Sequence, residues 1–449
     1  MGALLGAPRT LQALARDGVV PRILGRGFGP GNDPRIATAV TVLVGLGGIM
    51  AGGLNVIAAA LSMFFLTSYG LINLSAALEG LIESPSWRPT FRVPWMVSLC
   101  GACGCFGAML MINPGATFVA GVVSAGVYAL MKRRRLRAHW GDLRYGILRL
   151  AARLALYRLA SHAPDERTWK PNLLVLSGAP TTRWYLIALA DAISHGKGFL
   201  TVASVLPDSL ASQDHLEHLR ASIRAYLTTR RVHALVKLHP APDVFKGAQE
   251  LIQAYGFGPL VPNTILLGET ERAEHVTAYV QLILLSFRMR RNLIIVRESE
   301  SPARTNGLGQ IDVWWARNSS NVGLMLALGY LLQTSPEWRQ STLVLKTVVE
   351  EAASHAEEQR RLETFIDQGR LEATAEVVLQ REGDIFDTIR HASGRASFLF
   401  LGMRAPQENE SAQDYGRSYE RLLDQTEGLP PTALVLAAED LDFQRIFEG

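Results

Sequence analysis

Three short stretches hold residue types that could do chemistry. The run CGACGC places Cys100, Cys103 and Cys105 close together. Thiolates at such spacing can hold a soft metal, but a metal site needs polar access and supporting hydrogen bonds. The flanking residues are Leu, Gly, Ala and Phe, so we expect no metal and read the cysteines as small residues at a helix–helix contact. The chain has no further cysteine and hence no disulfide framework, which suits a part facing a reducing cytosol. The segment SGAPTTR (177–183) follows an apolar run and could offer backbone N–H groups to a phosphate. It has one glycine and no lysine, which favours a plain strand-to-helix turn. Asp312, next to Trp314 and Trp315, could be a reacting carboxylate, but a strand burying two large aromatics beside a carboxylate is more often structural. After Met131 the chain contains no GxxxxGK[ST], HExxH, GxSxG or CxxC pattern. We expect neither an enzyme nor a cofactor.

The elements that must position these residues are of two kinds. Residues 1–131 carry few charges and long apolar runs, whereas 132–449 carry charge throughout. Four segments pass the length test for crossing a bilayer, about 20 apolar residues, the first and last being short but free of charged residues. They are 36–53, 56–82, 93–112 and 115–131, with Gly and Ala scattered through them as membrane helices allow. Residues 1–20 do not read as a secretory signal, because the arginines come too early. Arg9, Arg16, Arg22, Arg26 and Arg35 precede the first span, Arg88 and Arg92 lie between the second and third, and KRRRLR (132–137) follows the fourth. The other two connections have no Lys or Arg, so the arginine-bearing sides are cytoplasmic, with everything after Met131. The net charge of +4 is modest for 449 residues and speaks for no nucleic-acid partner.

Residues 143–158, LRYGILRLAARLALYR, place Leu143, Ile147, Leu150, Leu154 and Tyr157 at helical spacing. Arg144 and Arg158 flank this stripe on one side, Arg149 and Arg153 on the other. Such arginines can reach lipid headgroups while the stripe is buried; a helix docked on protein, with solvated arginines, is the alternative.

From Pro171 onward short apolar runs alternate with helical patterns. Strands are expected at 173–177, 198–205, 232–237, 263–267, 292–297, 310–315, 342–349, 372–379, 397–401 and 432–437. This rhythm predicts a parallel sheet covered by helices. Ten strands suit two side-by-side halves, meeting near Glu298–Gly307.

The opening GAPRTLQALARDGVVPRIL resembles the end of the eighth transmembrane helix and the next loop of amino acid–polyamine–organocation transporters. LNVIAAALSMFFLTSYGLINLSAALEGLIESPSWRPTFR (54–92) resembles the tenth span and following loop of the cation–chloride cotransporters within that superfamily. WKPNLLVLSGAP (169–180), IDVWWARNSSNVGLMLALGYLL (311–332) and LPPTALVLAAEDLDF (429–443) are similar to that family's cytoplasmic domain. The resemblance runs along essentially the whole chain.

It implies a twelve-span fold with ten spans in two inverted repeats, of which this chain holds a remnant of helix eight and helices nine to twelve. It implies a cytoplasmic domain of two halves similar to universal stress proteins, which dimerises. Ions in that fold are coordinated chiefly by helices one and six, so the chain alone is not expected to transport. Tyr69 matches the helix-ten tyrosine that helps hold chloride; packing in a bundle, with the hydroxyl on a carbonyl, is the plain alternative.

The expected organisation is 1–131 transmembrane helices, 132–168 basic linker and amphipathic helix, 169–300 a first α/β half and 301–449 a second. The expected function is the C-terminal part of a symporter moving Cl− with K+, Na+ or both, in the plasma or inner membrane. Its partners would be those ions, lipid and a second copy. An amino-acid permease relative with this tail and a nucleotide-sensing cytoplasmic module are the alternatives.

Overall fold

The computed structural model describes residues 2–51, 53–82, 88–133, 143–162, 168–270, 273–298, 309–316, 319–380 and 383–439. Two compact units divide the chain, Met1–Arg158 and Leu159–Gly449. Most of the 298–307 boundary, the tail past Glu439 and most of the KRRRLR run lie outside the described residues.

The first unit is helical. Its elements are α1 (Gly2–Arg16), α2 (Arg35–Ala51), α3 (Leu54–Ile82), α4 (Trp95–Ile112), α5 (Pro114–Arg133) and α6 (Leu143–Ala160). Among the described residues Ile57–Ile82 and Trp95–Ile112 are long and apolar enough to cross a membrane. Arg35–Met50 and Pro114–Ala129 are apolar but shorter, so two of the four expected spans meet the length criterion.

Helix α3 packs along α4 because small residues let the backbones approach. A Cβ on Gly70 would lie 3.3 Å from Cys105 Cβ, and one on Gly101 would lie 3.0 Å from Asn73 Oδ1. Met63, Ala77, Ser98 and Met109 are buried in the unit, while Phe64 and Met111 are 75% and 90% exposed. Apolar surface of that kind suits lipid better than water.

The second unit is one ten-stranded sheet with order β3-β2-β1-β4-β5-β10-β9-β6-β7-β8. Its first half runs β1 (Asn172–Leu176), α7 (Trp184–Ser194), β2 (Phe199–Leu206), α8 (Gln213–Thr229), β3 (Leu235–Pro240), α9 (Val244–Ala254), β4 (Thr264–Gly268), α10 (Val276–Arg288) and β5 (Asn292–Arg297). The second half runs β6 (Gln310–Trp314), α11 (Asn321–Gln333), β7 (Thr342–Val349), α12 (Ala352–Gln368), β8 (Ala373–Leu379), α13 (Ile385–Ala392), β9 (Ala396–Gly402), α14 (Ala412–Gln425) and β10 (Thr432–Leu436). All ten expected strands are present. Each half is parallel within itself, and the halves join where β5 and β10 pair antiparallel, Ile295 opposite Leu434.

Both faces of the sheet are buried, so its strands read as near-continuous apolar runs. Leu173 and Val175 point into one core with α7, α8, α11 and α12, and Leu174 and Leu176 into the other with α9, α10, α13 and α14. The chain's way in and out are tied together at one place. Trp169 Nε1 and Asn292 Nδ2 each donate to Glu439 Oε2 at 2.9 Å.

Candidate functional site

Tyr69 sits on α3 but off the α3–α4 seam. Its ring is 56% exposed and stacks on Phe65, centroids 6.2 Å apart. Among the described residues its hydroxyl makes no hydrogen bond, so it does not cap a carbonyl there. Asn73, four residues on, shares little of that outlook. Its Nδ2 donates to the Tyr69 carbonyl at 2.9 Å, and its Oδ1 faces Gly101. The helix thus offers one phenol outward and turns its amide inward.

Beside this face a groove of about 940 Å³ runs between α3 and α5. Ala59, Ala60, Met63, Ala116, Ala120 and Val123 are among its lining residues. Thr67 and Ser68 also line it, but their hydroxyls donate to Met63 O at 2.7 Å and Phe64 O at 2.9 Å. Asn113 and Ser124 complete its polar lining, with Asn113 Oδ1 accepting from Ala116 N–H at 3.0 Å, so the groove is mainly apolar with few polar groups.

Of the cysteines, Cys105 packs on Gly70 as expected, whereas Cys100 and Cys103 face outward. The correction follows from helical spacing: Gly101 and Cys105, four residues apart, meet the seam, and the other two cysteines fall off that face. On α6, Arg149, Arg153 and Arg158 are exposed, and the Arg144 side chain lies outside the described residues. Ile147, Leu154 and Tyr157 of the apolar stripe are exposed too. One close contact on this helix comes from Gly146, where a Cβ would meet Ile82 at 3.0 Å.

In the α/β unit the carboxyl ends of the strands are the natural place for a ligand. After β1 the loop turns on itself: Thr182 and Arg183 N–H both bond Ala179 O, at 3.1 and 3.2 Å. Gly268 closes β4, and a Cβ there would lie 2.7 Å from the Tyr185 hydroxyl and 3.5 Å from Arg183 Nη1. The second half repeats this. A Cβ on Gly402, at the end of β9, would lie 2.9 Å from Asn321 Nδ2 and 3.4 Å from Ser319 Oγ. In each half, residues at the start of the first helix fill the crevice between the first and fourth strands.

Asp312 is fully buried and belongs to a closed network. Ser393 Oγ donates to Asp312 Oδ2 and Gln310 Nε2 to Oδ1, both at 2.6 Å. Lys346 Nζ lies 3.2 Å from Asp312, 3.1 Å from Glu376 and 2.7 Å from Ala392 O. Trp314 Nε1 donates to Ser393 Oγ at 3.0 Å. Burial pushes the Asp312 carboxyl up, opposed by Ser393, Lys346 and Gln310. With every partner committed, the cluster holds β6, β7 and α13 together and has no open position for a substrate. Sequence reasoning singled out Asp312 but missed Lys346; a lone lysine inside the apolar run TLVLKTVV was the available signal.

A family model described as amino acid permease matches residues 1–175, and one described as solute carrier family 12 matches residues 183–302. Among solved structures, the cytoplasmic domain of a prokaryotic cation chloride cotransporter is 14% identical, with a TM-score of 0.44, covering 62% of this chain and 100% of that one. A universal stress protein from Archaeoglobus fulgidus is 13% identical, with a TM-score of 0.39, covering 61% of this chain and 100% of that one. The two family models follow one another along the chain, the permease model over the helical unit and into β1 and the solute carrier family 12 model over most of the first half of the sheet, and both describe membrane transporters.

Proposed function

We propose that the chain is the C-terminal part of a chloride-coupled cation symporter, moving Cl− with K+, Na+ or both by secondary active transport. The observation that carries this reading is the succession of the two family matches along one chain. In this reading α2 to α5 are four transmembrane helices, α1 is the end of a preceding one, and the α/β unit is a cytoplasmic regulatory domain that pairs with a second copy. Residues 132–168 form the linker, with Arg144, Arg149, Arg153 and Arg158 at lipid headgroups. The exposed stripe on α6 favours lipid over a protein dock for that helix.

Tyr69 then supplies one donor to chloride. A phenol O–H is a donor and anions need donors, and its outward aim off the α3–α4 seam leaves it available to neighbouring helices. The groove between α3 and α5 is mainly apolar, so in this reading the helical unit alone does not build a dehydrated ion site, and the isolated chain in liposomes should take up neither labelled chloride nor rubidium. Saturable uptake above empty liposomes would reject that division of labour. Where the chain works within a complete ion path, Tyr69→Phe should weaken chloride about tenfold to a hundredfold, the worth of one hydrogen bond to a charged group. An unchanged half-saturation for chloride would leave Tyr69 as packing.

A further inference from the structure

The amino ends of β3, β2, β1, β4 and β5 lie in that order along one edge, nearly level. Phe199 is opposite Asn172, Thr201 opposite Leu235, Thr264 opposite Leu173 and Asn292 opposite Thr264. At about 4.8 Å per strand the five span roughly 19 Å. The loops feeding them are 168–171, 195–198, 230–234, 255–263 and 289–291, and they contain no Asp or Glu. Lys170, Lys197, Arg231, Arg288 and Arg290 are exposed here. Arg230 is stacked 4.5 Å over Trp184 and 4.6 Å over Tyr226 and is left out of the count. Carboxylates also stand behind the edge. Asp191 is pushed up chiefly by burial and next by the charge of Glu337, and Glu439 is engaged by Trp169 and Asn292. The opposite edge of the same half carries Asp208, Asp214, Asp243, Glu269 and Glu274 together with Arg183, Lys246 and Arg297, the last paired with Glu269 at 2.7 Å, so the acids of this half gather there in mixed company.

Phe257 stands on the basic edge, 65% exposed, between Gly256 and Gly258 at φ 108° and 53°. A cation at a helix C-terminus can simply answer the helix dipole. That can account for Lys197, Arg231, Arg288 and Arg290, which end or closely follow α7, α8 and α10, but not for Lys170, which precedes a strand, nor for an exposed phenylalanine on a glycine-flanked tip. Cations around an exposed aromatic are the composition of a surface that sits at a lipid headgroup layer.

We propose that this amino edge of the first half-sheet docks on an anionic lipid surface, with Phe257 entering the interface and Lys170, Lys197, Arg231, Arg288 and Arg290 on the headgroups. Charge supports lipid as the occupant. The loops feeding this edge hold no carboxylate, and its cations surround an exposed aromatic. The inference rests on the helical unit being membrane-embedded, and the test reads that separately.

The whole chain is placed in lipid nanodiscs, neutral phosphatidylcholine or the same with phosphatidylglycerol, and amide hydrogen exchange is followed by segment. Slow exchange along α3 in both discs reports embedding; fast exchange there would reject the membrane reading itself. Docking predicts that 229–233, 255–261 and 288–291 exchange at least about tenfold more slowly in anionic than in neutral discs. Half-molar salt should erase the difference. So should Lys197→Glu, Arg231→Glu, Arg288→Glu and Arg290→Glu combined, with β1 and β4 amides still slow. If that variant loosens the sheet, Phe257→Ser decides, and must at least reduce the difference at 255–261. Equal exchange in the two discs overturns the proposal. The same protection in neutral discs from added glycerol phosphate also overturns it, in favour of a soluble anion.

Discussion

The two halves of the sheet share a strand order and fill the same positions with opposite chemistry. In the first half the positions are Leu174, Leu176 and Ala203, all buried in an apolar core. The corresponding places in the second half are Asp312, Trp314 and Lys346. One half closes by dispersion and water exclusion, the other by a buried ion pair whose hydrogen bonds are all made. The comparison teaches that the backbone topology is indifferent to which is used, provided the buried charges keep their partners. A buried pair is seldom more stabilising than an apolar replacement, yet breaking it is costly because one charge remains.

The hardest way to break the comparison is to put half of the second solution into the first half. Leu174→Asp buries a carboxylate with no partner, and we expect a loss of about 5 kcal/mol or more, enough to unfold that half. Hydrogen exchange along β1, β2 and β4 should become fast. Slow exchange there would mean that the first half can find a partner for the charge.

Next in size is Lys346→Met. It strands Asp312, fully buried in its network, and should cost about 3–5 kcal/mol, read as a lower denaturant midpoint by tryptophan fluorescence. Adding Asp312→Leu copies the first half's chemistry and should recover at least about 2 kcal/mol of that loss. A double variant no better than the single would show that the pair, and not only its completeness, is required.

The smallest effect lies at the end of the second half. Arg404 Nη2 and Nη1 hold Glu410 at 2.6 and 3.0 Å, and Gln407 N–H donates to it at 2.9 Å. The Arg404 hydrogen bond lowers the Glu410 carboxyl. A carboxyl lowered in the folded state stabilises above its unfolded value and loses that stability as the pH falls through its folded one. Arg404 is 42% exposed, so Glu410→Gln should cost under about 1 kcal/mol at neutral pH. The difference from the parent should vanish well below pH of about 4. A gap that persisted in acid would assign the loop's order to something other than this pair.

The sequence by itself determined the elements. The inner strands are short apolar runs because they are buried on both faces, and the edge strands β3 and β8 are half-exposed runs with polar residues among them. The four apolar helices were likewise visible as long runs with few charged residues, and Cys105 was legible as a small residue at a helix contact. What pairs with what was decided by the tertiary structure. The antiparallel seam of β5 and β10 could not be read from runs that are equally apolar on every face, because register and direction are set by which edges are left when each half has closed. Lys346 lies 34 positions after Asp312, and only the neighbouring strands β6 and β7 bring their charges within 3.2 Å. Asn73 and Tyr69 share a helical face by spacing, yet Gly101 on another helix draws one inward and leaves the other out. In each case the deciding contact is between residues distant in the chain, and local chemistry carries no record of a partner that only packing supplies.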